Sequence, residues 1–355
     1  MNARDWRTVS SAGIAPLYQS EIARWDAVLH WDTRANWRLV EAARAAGTLP
    51  GVVVHDASGA VEGWAFYLLH HGELQVGALV CRSPAATGAV LDAILTSPEA
   101  ATASSVTLFT FSGAPALNGE LQQKGFATSH YRYLQRSLVE AAVSTSASRR
   151  AGPSASARST SARAPARPAI APKVRRRFGP SGEAGSIGPG LRRKANRPSP
   201  VRPPVGRGWL ASDVISVAEL LSRAYGAADA SRPFVRQGRP EDWIEYVEQL
   251  VTTRGCGVFL QEATVIGESS HGVDAVVLAT HLGPGTAHFA QVAVEPAAQR
   301  AGRGRLILSA ALSNLRAADY ARVTLLVSAA NGVAIGLYDR LGFVEAGTFI
   351  TAVRD

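Results

Sequence analysis

From Trp209 onward the apolar positions fall into two periods. Val214, Val217, Leu220, Leu221 and Tyr225 recur at helical spacing, and Pro240 to Thr252 reads as a second helix with Glu241, Asp242, Glu245 and Glu248 on its charged face. Strand-like runs follow at Gly257 to Ala263, Asp274 to His281 and Ala287 to Val294. A glycine-rich loop then enters a long helix, Gly304 to Ala318, followed by a β-rich run at Arg322 to Val327. A helix from about Asn331 to Leu341 and a strand from Phe343 to Ala352 end the chain. Two helices, an antiparallel meander and a β-α-β-α-β finish predict an α/β or α+β domain, with a mixed central sheet flanked by helices.

The N-terminal part follows the same plan. Helices are expected around Ala15 to Val28 and Arg34 to Ala46, and strands at Gly51 to Asp56, Gly63 to His70 and Glu73 to Val80. Ser83 and Pro84 mark an N-cap and first turn for a helix running to Leu95. Strand Val106 to Phe111, helix Ala116 to Gln123 and strand Phe126 to Leu134 close this half. Gly125-Phe126 matches Gly342-Phe343 at an offset of 217, and Gln75-Val76 matches Gln291-Val292 at 216. Two nearly equal offsets predict an internal duplication of domain length.

Composition separates the halves. Ala141 to Arg207 holds 10 of the 19 prolines and 15 of the 37 Lys and Arg residues against one acid, Glu183. Without periodic apolar residues such a segment cannot offset its ordering entropy, so residues 141–207 are expected to be a disordered linker between domains at 1–140 and 208–355. Outside the linker 22 basic residues face 27 acidic ones, so the overall charge of +9 belongs to the linker and not to a nucleic-acid-binding face. Its clusters Arg175-Arg176-Arg177 and Arg192-Arg193-Lys194 leave contact with nucleic acid open there alone. Only Phe178 is available among them to stack on a base. No apolar stretch reaches the length of a membrane span, and the first residues lack a signal-peptide pattern, so a cytoplasmic protein without membrane partners is expected. Cys81 and Cys256 have no companions at metal-ligand spacing, and no metal is expected. Nothing in the sequence fixes the oligomeric state.

The strongest chemical signal lies between His288 and Leu312, where a strand feeds a glycine-rich turn and then an amphipathic helix. In Gln299-Arg300-Ala301-Gly302-Arg303-Gly304, two glycines without Cβ atoms let backbone N–H groups converge on an anion at a helix N-terminus, with Arg300, Arg303 and Arg305 adding charge at the rim. A Walker loop would need a GK[ST] that is absent, and a dinucleotide fingerprint would need Gly-x-Gly-x-x-Gly. A simple strand-to-helix turn is the competing reading. The second signal is Asn331-Gly-Val-Ala334-Ile-Gly-Leu337-Tyr338-Asp-Arg-Leu-Gly342-Phe343, a helix that stops at a glycine before the last strand.

Taken together, these segments resemble the GNAT superfamily of acyl-CoA-dependent N-acetyltransferases. The family pattern is Gln/Arg-x-x-Gly-x-Gly/Ala followed by Asn-x-x-Ala-x-x-Leu-Tyr-x-x-x-Gly-Phe. The resemblance covers Trp209 to Asp355, and the N-terminal half resembles a degenerate copy, giving two tandem GNAT-like domains. It implies acetyl-CoA as co-substrate, held in a V-shaped opening between Ala287 to Val294 and Arg322 to Val327. The backbone of Val292, Ala293 and Val294 would bond the pantetheine arm, Gln299 to Gly304 would hold the pyrophosphate, and Asn331 would lie beside the pantetheine. The implied reaction is N-acetylation of a primary amine on a small molecule or a protein. The alternative is a non-catalytic acyl-CoA-sensing module with a nucleic-acid-binding linker.

An amine attacking a thioester needs an oxyanion donor and a proton source near sulfur. Tyr338 is the candidate proton donor, with core packing beside Ala334 and Leu337 as its other reading. The base stays open. Glu295 reads as a solvated loop residue, and His288 and His281 are candidates whose other reading is structural. In the N-terminal half Cys81-Arg82-Ser83-Pro84 runs straight into a helix without the glycine loop, and Leu121 stands where Tyr338 would be. That half is expected neither to cradle pyrophosphate nor to donate a proton. Adjacent His70 and His71 are expected to point to opposite faces of their strand.

Overall fold

The computed structural model describes residues 1–139, 206–225, 235, 239–253 and 255–355, and these form one compact unit. Of the expected linker only Gly206 and Arg207 are described; the rest lies outside the described residues.

The N-terminal half comprises β1 (Asn2–Asp5), α1 (Ser11–Leu29), α2 (Arg34–Ala45), β2 (Gly51–His55), β3 (Val61–His70), β4 (Glu73–Cys81), α3 (Pro84–Leu95), α4 (Pro98–Thr102), β5 (Ser105–Phe111), α5 (Leu117–Gln123) and β6 (Ala127–Ser137). The C-terminal half follows with α6 (Asp213–Tyr225), α7 (Pro240–Thr252), β7 (Val258–Phe259), β8 (Val265–Ser269), β9 (Gly272–Gly283), β10 (Thr286–Val294), α8 (Arg303–Ala317), β11 (Arg322–Ser328), α9 (Gly332–Arg340) and β12 (Val344–Arg354). The expected strand Gly257 to Ala263 shrinks to β7, and β8 and β1 are additional. Neither addition alternates apolar with polar residues: β8 reads Val-Ile-Gly-Glu-Ser and β1 Asn-Ala-Arg-Asp.

The halves share one sheet in the order β1-β2-β3-β4-β5-β12-β6-β11-β10-β9-β7, with β8 also on β9. Strand β6, expected to close the N-terminal half, pairs with β11, and β12 pairs with β5. Each half therefore gives its last strand to the other. The duplication shows in the register: Val106 faces Arg354, and Val323 faces Arg136. Adding 217 to Val106 and 218 to Arg136 turns one pair into the other, and the added residue enters at the irregularity between Glu345 and Gly347. Tyr131 faces Phe349, its own counterpart at 218, so a local pseudo-twofold passes between β6 and β12 there.

Register also corrects one half of the sequence argument for duplication. Val76 lies beside Leu108 on β4, and Phe289 beside Leu325 on β10. Since Leu108 and Leu325 are 217 apart, Gln75-Val76 corresponds to His288-Phe289 and not to Gln291-Val292.

Side chains alternate across the sheet, as the period-2 geometry of strands requires. Ala275, Val277 and Ala279 of β9 pack with Ile307, Leu308 and Leu312 of α8, whereas Val276 and Leu278 pack with Val217, Leu221 and Val247 of α6 and α7. Helix α1 starts at Ser10, whose hydroxyl accepts from Gly13 N–H, and ends where His30 takes φ 53°. The chain beyond it crosses to the other half. There Asp32 N–H donates to Leu282 O at 3.1 Å, and Tyr133 Oη donates to Leu29 O at 2.9 Å.

Candidate active site

Strands β10 and β11 pair in parallel only from Thr286 to Phe289, opposite Arg322 to Leu325. A register shift between Phe289 and Gln291 then bends β10, and its remaining residues keep β9 as partner on one side only. On the side left open, Val292 O accepts from Tyr225 Oη at 3.3 Å and Val294 O from Gln299 Nε2 at 3.1 Å. Gln299 thus ties the glycine-rich loop to the strand. Arg300 and Gly302 have φ of 61° and 83°, and among the described residues no side chain caps α8 at Gly302. A Cβ on Gly302 would meet nothing within 4 Å, whereas one on Gly304 would sit 3.3 Å from Leu337. The loop is therefore wedged against α9 at Gly304 and open at Gly302, where first-turn N–H groups lack helical acceptors.

A cavity of about 1390 Å³ runs along the sheet past this opening. Tyr338, Asn331, Val292, Gln291, Tyr225, Tyr246, Cys256 and His288 line it from the C-terminal half; Trp25, Trp31, Thr33, Trp37, Phe66 and Gln75 line it from the N-terminal half. Tyr338 is buried, edge-on to Phe343 at 5.6 Å, and burial pushes its phenol well above the usual pKa. The phenol therefore stays protonated at neutral pH. Gln291 is held at both ends of its amide, Oε1 accepting from Tyr225 Oη at 2.8 Å and Nε2 donating to Tyr246 Oη at 2.6 Å.

His288 is almost fully buried, and desolvation lowers its pKa to about 4, so the imidazole is neutral. Its Nδ1 lies 2.9 Å from Thr324 Oγ1, and that hydroxyl donates to Ala287 O at 3.3 Å. With the threonine proton so directed, Nδ1–H donates to Oγ1 and Nε2 carries the basic lone pair.

Residues 216–343 match the acetyltransferase (GNAT) family model. The match falls wholly within the C-terminal half. No curated protein matches the sequence. A GCN5-related N-acetyltransferase from Sphaerobacter thermophilus has the same fold at 12% identity and a TM-score of 0.50, covering 86% of this chain and 80% of its own. A GCN5-related glucosamine N-acetyltransferase region in a fungal multi-domain GH3 β-N-acetylglucosaminidase superposes with a TM-score of 0.51 at 14% identity. That match covers 99% of this chain and 38% of the fungal one. A Drosophila protein gives 0.51 at 10% identity, covering 99% and 98%. These likenesses extend over both halves, so the N-terminal half is GNAT-like by fold.

Within residues 216–343 the residues singled out by sequence divide. Val292, Asn331 and Tyr338 come together on the cavity. Ala293 turns its side chain into the α6–α7 core, and Val294 holds Gln299. Asn331 Oδ1 caps α9, accepting from Ala334 N–H at 3.0 Å. Gln299, Arg300, Ala301 and Gly302 are exposed. Arg303, expected at the anion rim, is instead drawn back: its guanidinium donates to Asp274 Oδ1 at 2.6 Å and to Glu268 O at 2.9 Å. Glu295, expected in solvent, pairs with Arg223 at 2.8 Å. His281 lies 3.2 Å from Tyr320 Oη and does not line the cavity.

The N-terminal half repeats the parting of strands, since β4 pairs with β5 only from Glu73 to Val76. Its helix start differs: Ser83 Oγ accepts from Ala86 N–H, and Pro84 has no N–H to offer. Sequence reasoning missed Tyr225, Gln291 and Tyr246 as a linked set, and the tryptophans of α1, α2 and their connection as cavity wall. Helical spacing marked Tyr225 as core-facing, but only the tertiary structure brings it to the same cavity as Trp31.

Proposed function

We propose that the protein transfers an acetyl group from acetyl-CoA to a primary amine, with catalysis in the GNAT domain of the C-terminal half and the acceptor wall supplied by the N-terminal half. The observation that carries this reading is the gap beside β10, where Val292, Asn331, Tyr338 and His288 face one cavity. The uncapped start of α8 suits a pyrophosphate, with open space at Gly302 and exposed Arg300 and Arg305 nearby, whereas Ser83 and Pro84 close the equivalent position in the other half.

Acetyl-CoA supplies the acetyl group activated as a thioester. His288 Nε2 accepts the proton that the acceptor nitrogen sheds as the N–C bond forms. Tyr338 Oη–H donates to the sulfur as the C–S bond breaks, offsetting the charge of the departing thiolate. Trp25, Trp31 and Trp37 favour an acceptor with an apolar or aromatic body, while Thr33 Oγ1 and Trp37 Nε1, which have no hydrogen-bond partner among the described residues, can orient its polar groups.

Thermal-shift titration with acetyl-CoA, followed by thiol release over a panel of amines, tests the reading. Saturable stabilisation and acceptor-dependent thiol release are expected. Absence of any acetyl-CoA effect overturns it, and binding without release on any amine turns it into a sensing role.

A further inference from the structure

Hairpin β3–β4 ends in His70 and His71, which a regular strand would point to opposite faces. His71 instead has φ 48°. The turn brings both imidazoles to one side, with ring centroids 4.0 Å apart. There they meet a carboxylate from the other half of the chain. His70 Nε2 lies 3.7 Å from Glu245 Oε1, and His71 Nε2 lies 3.7 Å from Glu245 Oε2. One donor atom from each residue falls within 4.8 Å of the others, an arrangement of His, Cys, Asp or Glu side chains found nowhere else among the described residues.

We propose that His70, His71 and Glu245 form a site for a borderline divalent cation of the zinc class, which clips the β3–β4 hairpin to α7. The distances are too long for hydrogen bonds, and exposed pairs of this kind contribute little to stability. They are close to what a cation requires. Ligands at 2.0 to 2.1 Å from a tetrahedral zinc stand about 3.4 Å apart, and the three donor atoms already lie within 4.8 Å of one another, so exposed side chains need to close by about 1.4 Å at most. Two imidazole nitrogens and one carboxylate select zinc, nickel or copper over magnesium and calcium, which take oxygen ligands. Three protein ligands leave a fourth position for water. Asp242, three residues before Glu245, adds negative potential while remaining paired with Arg239 at 2.9 Å.

The site sits at the cavity rim. Glu73, two residues past His71, and Trp243 and Tyr246, beside Glu245, all line the cavity. A bound ion would therefore join the wall from the N-terminal half to the wall from the C-terminal half.

Untagged full-length protein, stripped with a chelator, is titrated with Zn²⁺ by calorimetry, and melting is followed with and without the ion. One ion per chain with micromolar or tighter affinity is expected, with a higher Tm when bound and no competition from Mg²⁺. His70→Ala, His71→Ala and Glu245→Gln should each weaken binding at least about tenfold while the metal-free proteins melt like metal-free wild type. Failure of wild type to bind Zn²⁺ overturns the proposal. So does unchanged affinity in the His70→Ala/His71→Ala double variant, which would place the ion on other side chains.

Discussion

The indole of Trp31 stacks on the imidazole of His288, with 6.1 Å between ring centroids and 30° between planes. The two residues come from different halves of the chain, and Tyr133 also stacks on His288 at 6.1 Å and 13°. The desolvation that keeps His288 neutral is thus imposed partly by a loop that the C-terminal half does not possess.

His288→Gln should lower turnover by roughly 10²-fold at neutral pH, the usual share of a general base, with acetyl-CoA affinity little changed. Stability carries a second signature. The folded pKa of about 4 lies below the ordinary 6.5, so between those values the unfolded chain binds a proton that the folded chain refuses. This contribution is complete above pH 6.5 and disappears as the pH falls towards 4. Thermal melts from pH 7 to 4 should show a shallower decline in the variant than in wild type; equal slopes would refute the buried neutral imidazole.

Tyr338→Phe keeps the ring against Phe343 and removes only the hydroxyl. Turnover at saturating acceptor should fall by about 10²-fold or more while calorimetric acetyl-CoA affinity stays near wild type. Wild-type turnover in this variant would reduce Tyr338 to a packing residue.

Acetyl-CoA should bind once per chain, because Ser83 and Pro84 occupy the helix start that Gly302 leaves open in the other half. Gly302→Glu forces a side chain into left-handed backbone and puts a negative charge where the anion would lie. Calorimetry should give one site in wild type and a loss of at least about tenfold in the variant. Two sites, or no loss, would contradict the assignment.

The exchange of β6 and β12 makes the halves interdependent. Residues 1–139 alone leave the edge of β5 without β12, and 206–355 alone leave β11 without β6, exposing unpaired strand edges and the apolar faces of Phe111 and Leu325. Each fragment expressed singly should be insoluble or self-associate, whereas co-expressed fragments should elute as one soluble complex. Soluble monomeric fragments in size-exclusion chromatography would show that each half closes on its own.

Local sequence determined the elements and the loop. Helical spacing placed α6, α7 and α8, Ser83 and Pro84 marked the start of α3, and two glycines marked the turn before α8, because caps, turns and amphipathic faces depend on neighbours within a few residues. The resemblance carried by Gln299 to Gly304 and by Asn331 to Phe343 pointed to the same family whose model matches residues 216–343. What only the tertiary structure decided is which strand lies beside which, since β6 fits β12 and β11 by register and side-chain shape over more than a hundred intervening positions. That pairing brings Trp31 onto His288 and sets His70 and His71 against Glu245, while the packing of α6 on β10 joins Tyr225 to Gln291. None of these has a sequence signature, because each contact is fixed by how two distant segments pack and not by any pattern within either.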